Sequence, residues 1–115
     1  TQLKKYTLKK LWEAGAKEIH VRPACPPLMF PCKFALSTRS LDELVARHAI
    51  RALEGFDKED VSEYLDDRSD KYEKMVEWIG HMLDATTLRY LRINDMVEAI
   101  GLPRGKLCLH CWLGE

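Results

Sequence analysis

The feature that most constrains this chain is a change of period across one glycine. Between Gln2 and Ala14, residues Leu3, Tyr6, Leu8, Leu11 and Trp12 mark an apolar helical stripe, with Lys4, Lys5, Lys9 and Lys10 on the other side. Gly15 is a natural helix stop. From Glu18 to Arg22 the period becomes two. Ile19 and Val21 face one way, His20 and Arg22 the other, and Pro23 ends the strand. Helix, glycine, strand is half of an alternating α/β unit. One strand is not a sheet, so its neighbours lie further along the chain or outside it.

The remaining pattern is mostly helical. Residues 23–37 carry Pro23, Pro26, Pro27 and Pro31, which predicts a constrained, extended loop. Ser40-x-x-Glu43 reads as a capping box before a helical face of Leu41, Leu44, Val45, Ala49, Ala52 and Leu53, closed by Gly55. A short acidic helix is expected over 57–65. Residues 71–83 give the cleanest helical spacing, through Tyr72, Met75, Val76, Ile79, Met82 and Leu83. Residues 87–93 read as a short extended segment. Asn94 is placed to cap a last helix through Ile100, with Gly101 and Pro103 as stops. The expected fold class is therefore α/β, mostly helical with one or two short strands.

Charge and composition exclude several function classes. Lys plus Arg and Asp plus Glu both number 18, giving a formal net charge of zero. A nucleic-acid binder resting on bulk positive charge is thus not expected, nor a protein held to a membrane by a polybasic face. No apolar run approaches the roughly 20 residues needed to span a bilayer. No charged-then-apolar leader opens the chain, so a cytoplasmic location is expected. The first residue is Thr1 rather than Met, which suggests an excerpt of a longer protein. The acidic stretch 57–70 reads as a solvated helical surface, since Glu63, Asp66, Asp67 and Asp70 lack the spacing and internal glycine of a calcium loop. Trp12, Trp78 and Trp112 read as packing residues.

The chemistry-bearing residues are four cysteines. Cys108-Leu-His-Cys111 has the spacing that lets two thiolates converge on one metal or cluster iron. The spacing is compatible with a zinc half-site, an iron–sulfur half-site, a redox dithiol or coincidence, the redox reading needing a strand-to-helix context that the C-terminal tail does not provide. Cys25 and Cys32 lie across the proline-rich loop, too far apart in sequence for a single zinc knuckle, and Cys25 can equally be a small buried hydrophobe. His110, between the tail cysteines, is a further candidate ligand. His20, His48 and His81 read as surface or core-edge residues.

Several runs carry a family resemblance. Ala14-Gly15-Ala16-Lys17-Glu18-Ile19-His20-Val21-Arg22, then Cys25-Pro26-Pro27 and Pro31-Cys32, resembles the amidophosphoribosyltransferases, which typically read AGAKEVHVR, Ser-Pro-Pro and Pro-Cys. Cys108-Leu-His-Cys111-Trp112-Leu-Gly114 is similar to the family's closing Cys-x-x-Cys-Phe-x-Gly. Arg39 to Leu44 resembles its Thr-Arg-x-Glu-Leu, and Ala85 to Leu91 its Ala-Asp-Ser-Leu-x-Tyr-Leu. This chain departs in carrying extra residues in its middle and Cys25 where the family has Ser.

The resemblance implies that residues 1–115 are a single C-terminal segment of a type I phosphoribosyltransferase domain. The glutaminase domain and the loop binding phosphoribosyl pyrophosphate would lie outside it, with Thr1 as the end of that loop. The whole enzyme would be a glycosyltransferase. It makes phosphoribosylamine from phosphoribosyl pyrophosphate and glutamine, with magnesium, in the first committed step of purine biosynthesis. The isolated chain is then expected to be inactive. The resemblance also implies a four-iron–four-sulfur cluster held by Cys32, Cys108 and Cys111. Its fourth ligand lies upstream, or Cys25 replaces it; zinc is the alternative in the isolated segment. For these three thiols to reach one cluster, the proline-rich loop and the tail must meet. A strand edge left exposed in the segment favours self-association, so a homo-oligomer is expected. The competing reading is a free-standing metal-binding helical module without enzymology.

Overall fold

The structure is a computed structural model that describes residues 2–115, so the expectation for Thr1 lies outside it. The chain begins with a π-helical stretch, Leu3–Leu8, running into helix α1, Lys9–Glu13. Of the expected apolar stripe only Leu8 is buried and Trp12 half-buried, while Leu3, Tyr6 and Leu11 are exposed. The wider π turn accounts for this, because it advances each residue by a smaller angle than the α-helix on which the stripe was drawn. Strand β1 (His20–Val21) pairs in parallel with β2 (Thr87–Leu88), His20 opposite Thr87 and Val21 opposite Leu88. This two-stranded sheet matches the α/β expectation, with helices filling the crossover.

The helical part departs from the sequence reading at its edges. Helix α2 runs Val45–Glu54, and its buried residues are Ala46, Ala49 and Ile50 rather than Leu41, Ala52 and Leu53. The expected capping box does not form. Leu44 is extended and buried, residues Leu41–Glu43 form only a 3-10 turn, and Glu43 Oε2 instead accepts the Arg39 amide at 2.7 Å. The acidic helix shrinks to α3, Ser62–Leu65, because Asp60 Oδ1 accepts the Ser62 amide in a local turn. Helix α5, Ile93–Ile100, starts after Arg92. Asn94 does not cap it; its side chain accepts from Arg104 at 3.2 Å.

Helix α4, Asp70–Leu83, is the spine. Ser69 caps it by accepting the Tyr72 amide at 3.1 Å. Met75 and Ile79, both fully buried, meet Ala46, Ala49 and Ile50 of α2 with Val61, Tyr64 and Met29. Fully burying side chains of this size contributes about 1.5–3 kcal/mol each. At the helix end Asp84 takes the left-handed conformation (φ 58°), and its carbonyl accepts Trp12 Nε1 at 3.0 Å, tying α1 to α4. No helix among the described residues is long and apolar enough to cross a membrane.

Candidate metal centre

The proline-rich loop and the C-terminal tail meet. After a 3-10 turn, Arg104–Lys106, the chain ends in a one-turn helix α6, His110–Leu113. The carbonyl oxygen of Cys111 accepts two hydrogen bonds from the loop, from Met29 N at 2.8 Å and Phe30 N at 2.9 Å. The Phe30 ring lies 6.0 Å from that of His110 and packs on Gly114. The backbone contacts that join the two segments therefore fall on a residue of the Cys-x-x-Cys itself.

Three thiols share this junction. Cys32 and Cys111 are half-buried and Cys108 exposed, and all are free. Burial pushes the Cys111 thiol up, reinforced by the neighbouring Cys32 and Cys108, and Cys32 also hydrogen-bonds to it. Cys32 behaves oppositely. The amides of Leu36 and Phe34 donate to its sulfur and hold its pKa down, with Ser37 contributing both its amide and its hydroxyl. The fold supplies these donors through a tight turn. Cys32 N donates to Thr38 O at 2.9 Å, Ala35 N donates to Cys32 O at 3.1 Å, and Ala35 sits at φ 54°. These donors favour the thiolate form of Cys32.

Cys25 is half-buried and free. The Tyr90 phenol is pushed up to about 12 by burial, then by Tyr72 and Cys25. His110 is half-buried and turned to the chain end, its Nδ1 3.2 Å from the Glu115 carbonyl oxygen. Among the described residues no group of three or more His, Cys, Asp or Glu side chains closes to metal-binding distances. The donor type is that of a thiolate metal site: three free thiols carried on the two segments that meet. Two buried polar atoms without a partner among the described residues, Thr38 Oγ1 and Trp112 Nε1, belong to the same two segments.

Sequence reasoning missed the residue behind the junction. Arg47 of α2 is half-buried; its Nε donates to Met29 O at 2.6 Å and its guanidinium lies 5.0 Å over the Phe30 ring. Burial lowers its pKa. The available signal was a charge on the apolar stripe, three residues from both Leu44 and Ile50.

Comparison with known proteins bears on the same segments. Over 108 residues, 94% of this chain, the sequence is 33% identical to the amidophosphoribosyltransferase of Mycobacterium tuberculosis. The chain is similar to a segment of amidophosphoribosyltransferase. It is 30% identical to the amidophosphoribosyltransferase of Methanothermobacter thermautotrophicus over 103 residues, 90% of the chain. With that of Archaeoglobus fulgidus it shares 30% over 101 residues, 86% of the chain. In each case it spans only about a sixth of the relative's length, 17%, 16% and 17%. No protein-family model and no solved structure matches the chain.

Proposed function

We propose that this chain is the C-terminal segment of the type I phosphoribosyltransferase domain of an amidophosphoribosyltransferase. The whole enzyme would be a cytoplasmic homo-oligomer making phosphoribosylamine from phosphoribosyl pyrophosphate and glutamine for purine synthesis. The observation that carries this reading is similarity over nearly the full chain to enzymes of that name, with the chain covering a sixth of each. The glutamine-hydrolysing part, the magnesium-dependent pyrophosphate site and the loop that Thr1 would end are then contributions of the remainder. The amides at the start of the first helix are suited to a phosphate there.

Within this reading Cys32, Cys108 and Cys111 hold a four-iron–four-sulfur cluster or, in the isolated segment, zinc. A fourth ligand comes from outside the chain. Cys25 is the alternative fourth ligand. The bound group supplies a structural cross-link between loop and tail. The chain's own residues do the rest. The Leu36, Phe34 and Ser37 amides stabilise the Cys32 thiolate, and the Met29 and Phe30 amides set the position of Cys111.

Two measurements test the reading. A longer polypeptide carrying the upstream phosphate loop is expected to form phosphoribosylamine from phosphoribosyl pyrophosphate and ammonia, and residues 1–115 alone to form none. Activity in the short chain, or an upstream reading frame with no such loop, overturns the assignment. For the cysteine centre, anaerobic purification followed by iron, sulfide and zinc analysis is expected to find metal that Cys32→Ser, Cys108→Ser and Cys111→Ser each remove. A metal-free native chain that iron and sulfide fail to reconstitute overturns it.

A further inference from the structure

We propose that Arg47 is the positioning residue of the cysteine centre, a role that rests on the metal-binding reading above. Its guanidinium touches three parts of the molecule at once: α2, the proline-rich loop and the start of segment 57–65. Nε donates to the Met29 carbonyl at 2.6 Å, a second nitrogen donates to the Lys58 carbonyl at 3.3 Å, and the planar group stacks 5.0 Å over Phe30. Met29 and Phe30 are the two residues whose amides hold the Cys111 carbonyl. The same peptide segment is thus gripped from one side by Arg47 and grips the tail from the other.

The chemistry of the arginine fits this use. A guanidinium donates in a fixed planar fork and stacks on an aromatic face at the same time, which an ammonium does not do. Phe30 in turn faces His110 and Gly114, so its ring sits between the arginine and the tail. Through the Lys58 carbonyl the segment 57–65 braces the same point. Lys58 also reaches Glu54 at 3.6 Å and Glu63 at 3.2 Å, anchoring that segment to α2. The middle of the chain therefore serves as a buttress for the loop that carries Cys32. Second-layer groups of this kind commonly change metal affinity when removed, while leaving the ligands themselves in place.

The test compares wild type, Arg47→Met and Arg47→Lys in cobalt(II) titrations under anaerobic conditions. Thiolate-to-cobalt absorption gives affinity, and amide hydrogen exchange reads the Met29 and Phe30 N–H groups. Arg51→Met is the control; it lies one turn away and its guanidinium pairs with Asp42 and Asp57. Arg47→Met is expected to weaken cobalt binding roughly tenfold or more. It is also expected to expose the Met29 and Phe30 amides while α4 stays protected. Arg47→Lys, which keeps the charge but not the fork, should fall between, and it carries the test if Arg47→Met does not fold. Cobalt binding within twofold of wild type with both amides still protected overturns the proposal. If wild type itself binds no cobalt, the metal reading fails and the positioning role falls with it; weakened cobalt binding in the Arg47 variants but not in Arg51→Met sustains the proposal.

Discussion

A Cβ placed on Gly114 would stand 3.0 Å from Cζ of Phe30, so the tail closes tightly on an aromatic face that a larger residue would have to push back. Gly114 also has φ 77°, where an L side chain is strained by roughly 1–2 kcal/mol. Gly114→Ala is expected to destabilise the chain by at least that much. Hydrogen exchange at Met29 and Phe30 should rise well before that of α4. Equal protection across all sites would show that the tail is not held through this contact.

The middle of the molecule is tuned by charge. Glu54 accepts from Tyr64 Oη at 2.6 Å and Lys71 Nζ at 2.8 Å. The Lys71 bond, then that from Tyr64, holds its carboxyl down to about 2, below its ordinary 4.5. A lowered folded-state pKa means that the unfolded chain takes up the proton first as the medium is acidified. The stabilisation is thus complete above about pH 4.5 and is lost as pH falls towards 2. Glu54→Gln should flatten the acid limb of a denaturation series, and an unchanged slope would remove Glu54 from the account.

Ser69 carries the start of α4. Its oxygen accepts the Tyr72 amide, and its hydroxyl lies 2.8 Å from the Glu63 and Asp66 carbonyl oxygens. Ser69→Ala is expected to cost about 0.5–2 kcal/mol in urea unfolding. Ser69→Asp should recover part of this through the cap, but not the bonds to those carbonyls.

Ile79 lies fully buried between α4 and α2. Ile79→Ala should cost about 2–5 kcal/mol, with the value rising as the cavity fails to collapse. Calorimetry checks this. A loss below 1 kcal/mol would show that the two helices do not share a packed core.

Thr86 supports the sheet from its edge. Its Oγ1 accepts the Ile19 amide at 2.9 Å, and its own amide donates to the Ile19 carbonyl at 2.8 Å. Thr86→Val leaves the part-buried Ile19 N–H unpaired, at a cost of about 1–3 kcal/mol. The amide-exchange rate at Ile19 reports it directly.

Much of this was legible in residue order. The switch of period at Gly15 gave β1 and the α/β class, and the spacing from Tyr72 to Leu83 gave α4 almost whole. Local chemistry was harder to read. Ser40 and Glu43 look like a capping box, yet burial of Leu44 in an extended conformation delays the helix to Val45. Asn94 looks like a cap, but Arg104 takes its oxygen from far along the chain. In the candidate centre, the spacing of Cys108 and Cys111 was visible and so was the proline setting of Cys32. The turn beside Cys32 carries Ala35 at a positive φ, which no residue preference for alanine would suggest. Arg47 was hidden for a related reason: its partners are backbone carbonyls, and those leave no mark in a sequence.

The pairing of His20 with Thr87 joins positions 67 residues apart. During synthesis the first strand emerges long before its neighbour exists, so the sheet cannot zip until the ribosome has passed Leu88. Until then the β2 side of the first strand, with the Ile19 and Val21 carbonyls, lacks the partner it pairs with here. A cut in the backbone anywhere between the two strands would therefore leave their union to chance encounter of two pieces rather than to one tethered chain.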